Sequence, residues 1–169
     1  MDKSVIIPLV VVLIGIIITQ AIAYFVPPSN NLILNYIALF TIAIQWIAFI
    51  HAGGFFGNER TEKFYDLTGC ITFLSTLAVS LTLAHRINIR QYILSGFVAL
   101  WSTRLGYFLF SRIHNSGGVD SRFTEIKQNN YRFFMTWTLQ GFWVFLTLIP
   151  LLMVNHTNDD IPLGIYDYI

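Results

Sequence analysis

Two polar side chains set inside apolar runs are the residues of this chain best suited to chemistry. Arg104 stands within Tyr92–Phe110, a run long enough to cross a bilayer. A guanidinium at the centre of a span costs about 2.5–3.5 kcal/mol on insertion scales, so Arg104 is expected to face protein or water and to mark a working site. Gln140 lies in a later run, eight residues after Arg132, as Arg104 lies eight before Arg112. At about 1.5 Å per residue both sit about 12 Å deep from the same side. Asp66 opens the third apolar run near that mouth, and Thr68, Thr72 and Ser75 continue down one face of its helix. The spacing predicts a polar cleft with Arg104, Gln140, Asp66 and Tyr107 as its candidate residues. Tyr107 and Trp137, each one turn from Arg104 or Gln140, are the aromatic side chains placed to line it.

Each of these residues also has a structural reading. Asp66 in a first helical turn favours the positive end of the helix dipole. Thr68, Thr72 and Ser75 more often bond their own helix carbonyls than a ligand, and Arg112 at a span end can snorkel to the interface. Asp120 and Arg122 follow Gly117-Gly118, the pattern of a solvated turn. Against that, Arg112, Arg122, Lys127 and Arg132 crowd one loop beside the cleft. Such a cluster attracts a phosphate-bearing ligand or, more commonly, anionic lipid headgroups.

Several chemistries find no footing in the sequence. His51, His85, His114 and His156 are dispersed with no helical pair at metal-ligand spacing, so no metal site is expected. There is no glycine-rich phosphate loop, no GxSxG elbow and no cysteine–histidine pair. Cys70 is the lone cysteine and has no disulfide partner. The aromatic and basic residues lie in or beside apolar runs, which leaves nucleic-acid binding without support.

The elements that must position these groups are membrane helices. Hydrophobic residues make up 55% of the 169 residues and charged residues 11%. With a mean hydropathy of +0.62, the composition is that of an integral membrane protein. The expected fold is an all-α transmembrane bundle of five spans, at 5–26, 32–50, 64–84, 92–111 and 133–154, in one domain filling 1–169. Alternating the loops puts Lys3, Arg60, Lys63, Arg112, Arg122, Lys127 and Arg132 on one side and Arg86 and Arg90 on the other. The positive-inside rule then places the amino terminus, 51–63 and 113–131 in the cytosol. The membrane would be the endoplasmic reticulum in a eukaryote and the inner membrane in a bacterium. The closing Leu163-Gly-Ile-Tyr-Asp-Tyr-Ile reads as the opening of a further apolar element, with a carboxyl-terminal catalytic half expected to be missing.

Three blocks then resemble a known family. They are Asn58-Glu-Arg-Thr-Glu-Lys-Phe-Tyr-Asp-Leu-Thr-Gly-Cys-Ile-Thr-Phe, Leu100-Trp-Ser-Thr-Arg-Leu-Gly-Tyr-Phe-Leu-Phe-Ser-Arg-Ile with Gly118-Val-Asp-Ser-Arg-Phe-Thr-Glu-Ile, and Thr138-Leu-Gln-Gly-Phe-Trp-Val-Phe-Leu-Thr-Leu-Ile-Pro-Leu. In this order they resemble a multi-span family of unknown function related to steroid 5-alpha-reductases, from about residue 32 onward. The resemblance implies an NADPH-dependent reductase acting on a carbon–carbon double bond of a sterol-like or other enone lipid. It implies Arg112 and Arg122 against the cofactor phosphates, Asp120 orienting an arginine, and Gln140 and Arg104 lining the deeper cleft. The carboxyl-terminal nucleotide motif of such reductases is not in this sequence, so the chain alone is expected to be inactive. Two other readings stand beside it: a non-catalytic lipid-binding or accessory membrane protein, and a relative of isoprenylcysteine-type methyltransferases.

Overall fold

In the computed structural model, residues 2–26, 32–57 and 59–157 are described. Among them every regular element is helical. The five long helices are α1 (Lys3–Phe25), α2 (Leu32–His51), α3 (Tyr65–Leu83), α4 (Ile89–Asn115) and α5 (Asn130–His156). Each is long and apolar enough to cross a membrane, so the chain is an integral membrane protein. The closing segment from 158 onward lies outside the described residues.

Helices α4 and α5 run past the ends of their apolar stretches because polar caps extend them. Asn88 and Gln91 form a reciprocal capping box that starts α4 three residues before the expected span. The Asn129 side chain accepts from the backbone N–H groups of Tyr131 and Arg132 and so begins α5. Two glycines of positive φ stop α4: Gly118 N–H bonds the Ile113 carbonyl at 2.9 Å and Gly117 N–H bonds that of His114 at 3.2 Å. That pair of bonds is a Schellman ending, which glycine adopts without steric cost. What the sequence reads as one long loop, 113–131, is therefore a helix end followed by two 3-10 turns, Ser121–Phe123 and Ile126–Gln128.

Packing centres on α5, which meets α1, α2 and α3, while α4 joins the bundle chiefly through α3. Val144, Phe145, Leu148 and Leu152 of α5 are buried against Leu34, Ile37 and Ala38 of α2 and Phe73 and Leu77 of α3. Gly141 lets α2 and α5 approach, since a Cβ there would lie 3.0 Å from the Ile42 Cα. A second cluster, Phe49, Ala52, Phe123, Phe133 and Trp137, plugs the loop end of the bundle and anchors the segment after α4. Pro8 lacks the N–H that would bond the Ser4 carbonyl one turn back, and the Asn129 side chain bonds that carbonyl instead, at 3.3 Å. The N-terminal turn of α1 is thereby tied to the start of α5.

Candidate active cleft

The helical period decides which residues of α4 face the bundle. Gly106 meets α3 at Cys70 so closely that a Cβ on it would lie 2.4 Å from the Cys70 Cβ. Side chains at three- and four-residue steps from Gly106 share that face, Ser102, Leu109 and Ile113, and Leu105 lies beside them on the cleft. Arg104, two residues from Gly106, is turned about 200° away. It is exposed on the outer face of α4, as is Tyr107, and neither lines the cleft. The expected meeting of Arg104 with Gln140 and Asp66 does not occur, because contact through the smallest side chain puts the arginine on the opposite side.

A cleft of about 490 Å³ does open between α3, α4 and α5. That is within the range of small-molecule sites. Its walls include Gly69, Cys70, Phe73, Leu105, Leu109 and Trp143; Gln140 stands in its depth, and Asp66 and Arg122 stand at its mouth. Gln140, ten residues into α5, lies about 15 Å from that helix's loop end. Its amide occupies the room left by Gly69, where a Cβ would lie 2.7 Å from Nε2. Its Oε1 is buried without a hydrogen-bond partner among the described residues. An amide so placed can present a donor or an acceptor to a ligand in the cleft.

At the mouth, two carboxylates and two guanidinium groups interlock. Asp66 Oδ2 accepts from Arg112 Nη2 and Arg122 Nη2, each at 3.3 Å. Asp120 accepts from Arg122 Nε at 3.0 and 2.9 Å, pairs with Arg122 Nη2, and lies 3.7 Å from Arg112 Nη2. The hydrogen bond from Arg122 holds the Asp120 carboxyl below its ordinary range, and Asp120 in turn raises the Arg122 guanidinium. Asp120 thus holds the Arg122 guanidinium in place. The structure also pairs Asp66 with Arg112 and Arg122, where Arg104 was expected.

This balance bears on NADPH. Neutralising phosphates needs uncommitted cationic forks, whereas Arg112 and Arg122 are each shared between Asp66 and Asp120. As they stand these residues do not fit a dinucleotide's phosphates.

Behind the mouth, buried Glu62 accepts from the Asp120 N–H at 3.0 Å and pairs with Lys127 at 2.6 Å. Arg60 donates to the Lys127 carbonyl. The segments before α3 and after α4 are thus clamped together. The hydroxyls of Thr68, Thr72 and Ser75 bond carbonyls of their own helix, and Thr72 also accepts from Gln45 of α2 at 2.7 Å. Trp137 is buried in the aromatic cluster against Tyr65, away from the cleft. Cys70, Trp143 and Thr136 are wall residues that span-by-span reading passes over. Gly69 and Gly106 were the available signal, since glycines within spans mark where helices approach. No group of His, Cys, Asp and Glu suited to a metal is present among the described residues.

No curated protein and no solved structure matches the chain. One family model does, described as "Protein of unknown function (DUF1295)", over residues 56–169. The matched stretch contains α3, α4, α5 and every residue of the cleft and its mouth. Covering more than half of the sequence, that match shows that this membrane protein belongs to the DUF1295 family of proteins of unknown function.

Proposed function

We propose that the α3–α4–α5 cleft holds a sterol-like or other enone lipid, with the lipid's carbonyl on the Gln140 amide. The observation that carries this reading is that amide, set deep in an apolar wall with its Oε1 buried and unpartnered among the described residues. Its Nε2 is the donor from which a ligand carbonyl would accept, and its Oε1, whose burial without a partner costs about 1–3 kcal/mol, would accept from a hydroxyl of the same ligand. The walls are apolar and aromatic, and the charged mouth would hold the polar end of an amphipathic molecule near the interface. In the reductase reading carried by the resemblance, the same hydrogen bond draws electron density from the enone and makes its β-carbon more susceptible to hydride. The committed arginines favour a lipid-binding role for this chain by itself.

Cys70, the lone cysteine, lines the cleft and reports its occupancy. The purified chain in detergent is treated with a small maleimide, with or without a steroid enone or the matching hydrocarbon that lacks the carbonyl. The enone is expected to slow Cys70 modification at concentrations about tenfold below those the hydrocarbon needs, one good hydrogen bond's worth. Gln140→Leu removes that difference. Equal protection by both compounds, or none by either, refutes the assignment.

A further inference from the structure

Arg104 is exposed in the middle of α4, flanked on the same face by Phe97, Leu100, Tyr107 and Phe108, which are 62–75% exposed. Among the described residues it meets no carboxylate. Its Cα lies about 12 Å from the level of Arg112, where α4 reaches the mouth network, and about 22 Å from the other end at Ile89. Side chains lean toward the N-terminus of their helix, here toward Ile89 and away from the nearer boundary. Snorkelling to the Arg112 level would run against that lean and over more than an arginine's length. A guanidinium held at this depth needs a polar partner there.

We infer that this outer face of α4 is an interface for a membrane-spanning helix that carries an Asp or Glu carboxylate at the depth of Arg104. Charge complementarity selects that occupant. A second copy docked through the same face would set Arg104 against Arg104. The spans of such a copy also have no spare carboxylate, since among α1 to α5 the acidic residue is Asp66, at a helix end and already shared by Arg112 and Arg122. The surrounding Phe97, Leu100, Tyr107 and Phe108 supply the apolar contact a helix packs against. The inference stands independently of the ligand proposed for the cleft, which opens on the opposite face of α4.

The test uses the whole chain in phosphatidylcholine vesicles and four synthetic Leu/Ala-rich spanning helices labelled with dansyl, bearing Glu, Gln, Leu or Lys at the matching depth. Energy transfer from the chain's tryptophans reports association. The Glu helix is expected to bind about tenfold tighter than the Leu helix, the scale of a polar pair between membrane helices. Arg104→Leu should abolish the preference, and Arg104→Glu should transfer it to a Lys-bearing helix, which keeps the test informative if one variant inserts poorly. Equal binding of the Glu and Leu helices overturns the inference, as does a Glu preference that survives Arg104→Leu. Loss of the preference in vesicles rich in phosphatidylglycerol would assign Arg104 to lipid phosphate. Self-association of the chain that depends on Arg104 would assign the face to a second copy, and either result overturns the proposal.

Discussion

Replacing Glu62 should loosen the mouth of the cleft from behind without touching the cleft itself. Its carboxylate is 3% exposed and does two jobs, accepting the Asp120 N–H and pairing with Lys127. Glu62→Gln keeps an acceptor for the N–H and strands the ammonium. Breaking a fully buried pair from one side costs about 3–5 kcal/mol. The Lys127 side chain remains 26% exposed and can rehydrate, which brings the expected cost to about 2 kcal/mol. Glu62→Ala also strands the buried Asp120 N–H, adding about 1–2 kcal/mol for a total of about 3–4. Unfolding by SDS titration in mixed micelles, read by tryptophan fluorescence, measures both variants, and a cycle with Lys127→Met isolates the ion pair. Cys70 modification should quicken in Glu62→Ala, which releases the Asp120 backbone, since Asp120 positions Arg122 over the mouth. Gln and Ala variants within about 0.3 kcal/mol of each other would refute the division into two contacts, because that is the scale on which independent changes cease to be separable.

Three further outcomes follow from the same geometry. Gly106→Ala should destabilise the bundle by about 2 kcal/mol in the same titration, because its Cβ would overlap Cys70 Cβ and Sγ and force α3 and α4 apart, whereas Gly96→Ala, with nothing within 4 Å, should be neutral. The folded-state pKa of Asp120 is depressed, so its contribution is present above the unfolded carboxylate value and lost as pH falls through the folded one. The stability difference between the chain and Asp120→Asn should therefore hold constant from about pH 8 to 5 and shrink only below about pH 4; a decline between pH 7 and 5 would refute the pairing. For topology, cysteines introduced at Asn88 and Ser116 should label from opposite sides of sealed vesicles, Ser116 from the side bearing the basic loops, and equal labelling by an impermeant reagent would contradict that arrangement.

The sequence by itself determined the membrane class, the five spans and the end of the bundle where charge collects. Each of these follows from local composition: a run of apolar residues must be helical in hydrocarbon, where backbone groups have no other partner. It also placed Asp66, Arg112, Asp120, Arg122 and Gln140 at one end or one depth, since rise per residue is fixed along a helix. Depth alone says nothing about rotation. Which face α4 turns inward was decided by Gly106 against Cys70, a close approach between residues of different helices, and that contact sent Arg104 and Tyr107 outward. Likewise Glu62 lay in a loop with nothing to mark it as buried, and only the folding of 116–129 over it supplied Lys127 and the Asp120 N–H. Thr72, read along its own helix, belonged to a stripe facing the cleft, until α2 packed beside it and brought Gln45 to its hydroxyl. Periodicity acts within one helix, so it limits a residue to a depth and a stripe. The neighbour that stripe meets is set by how whole helices pack, and that depends on side chains far apart in the chain.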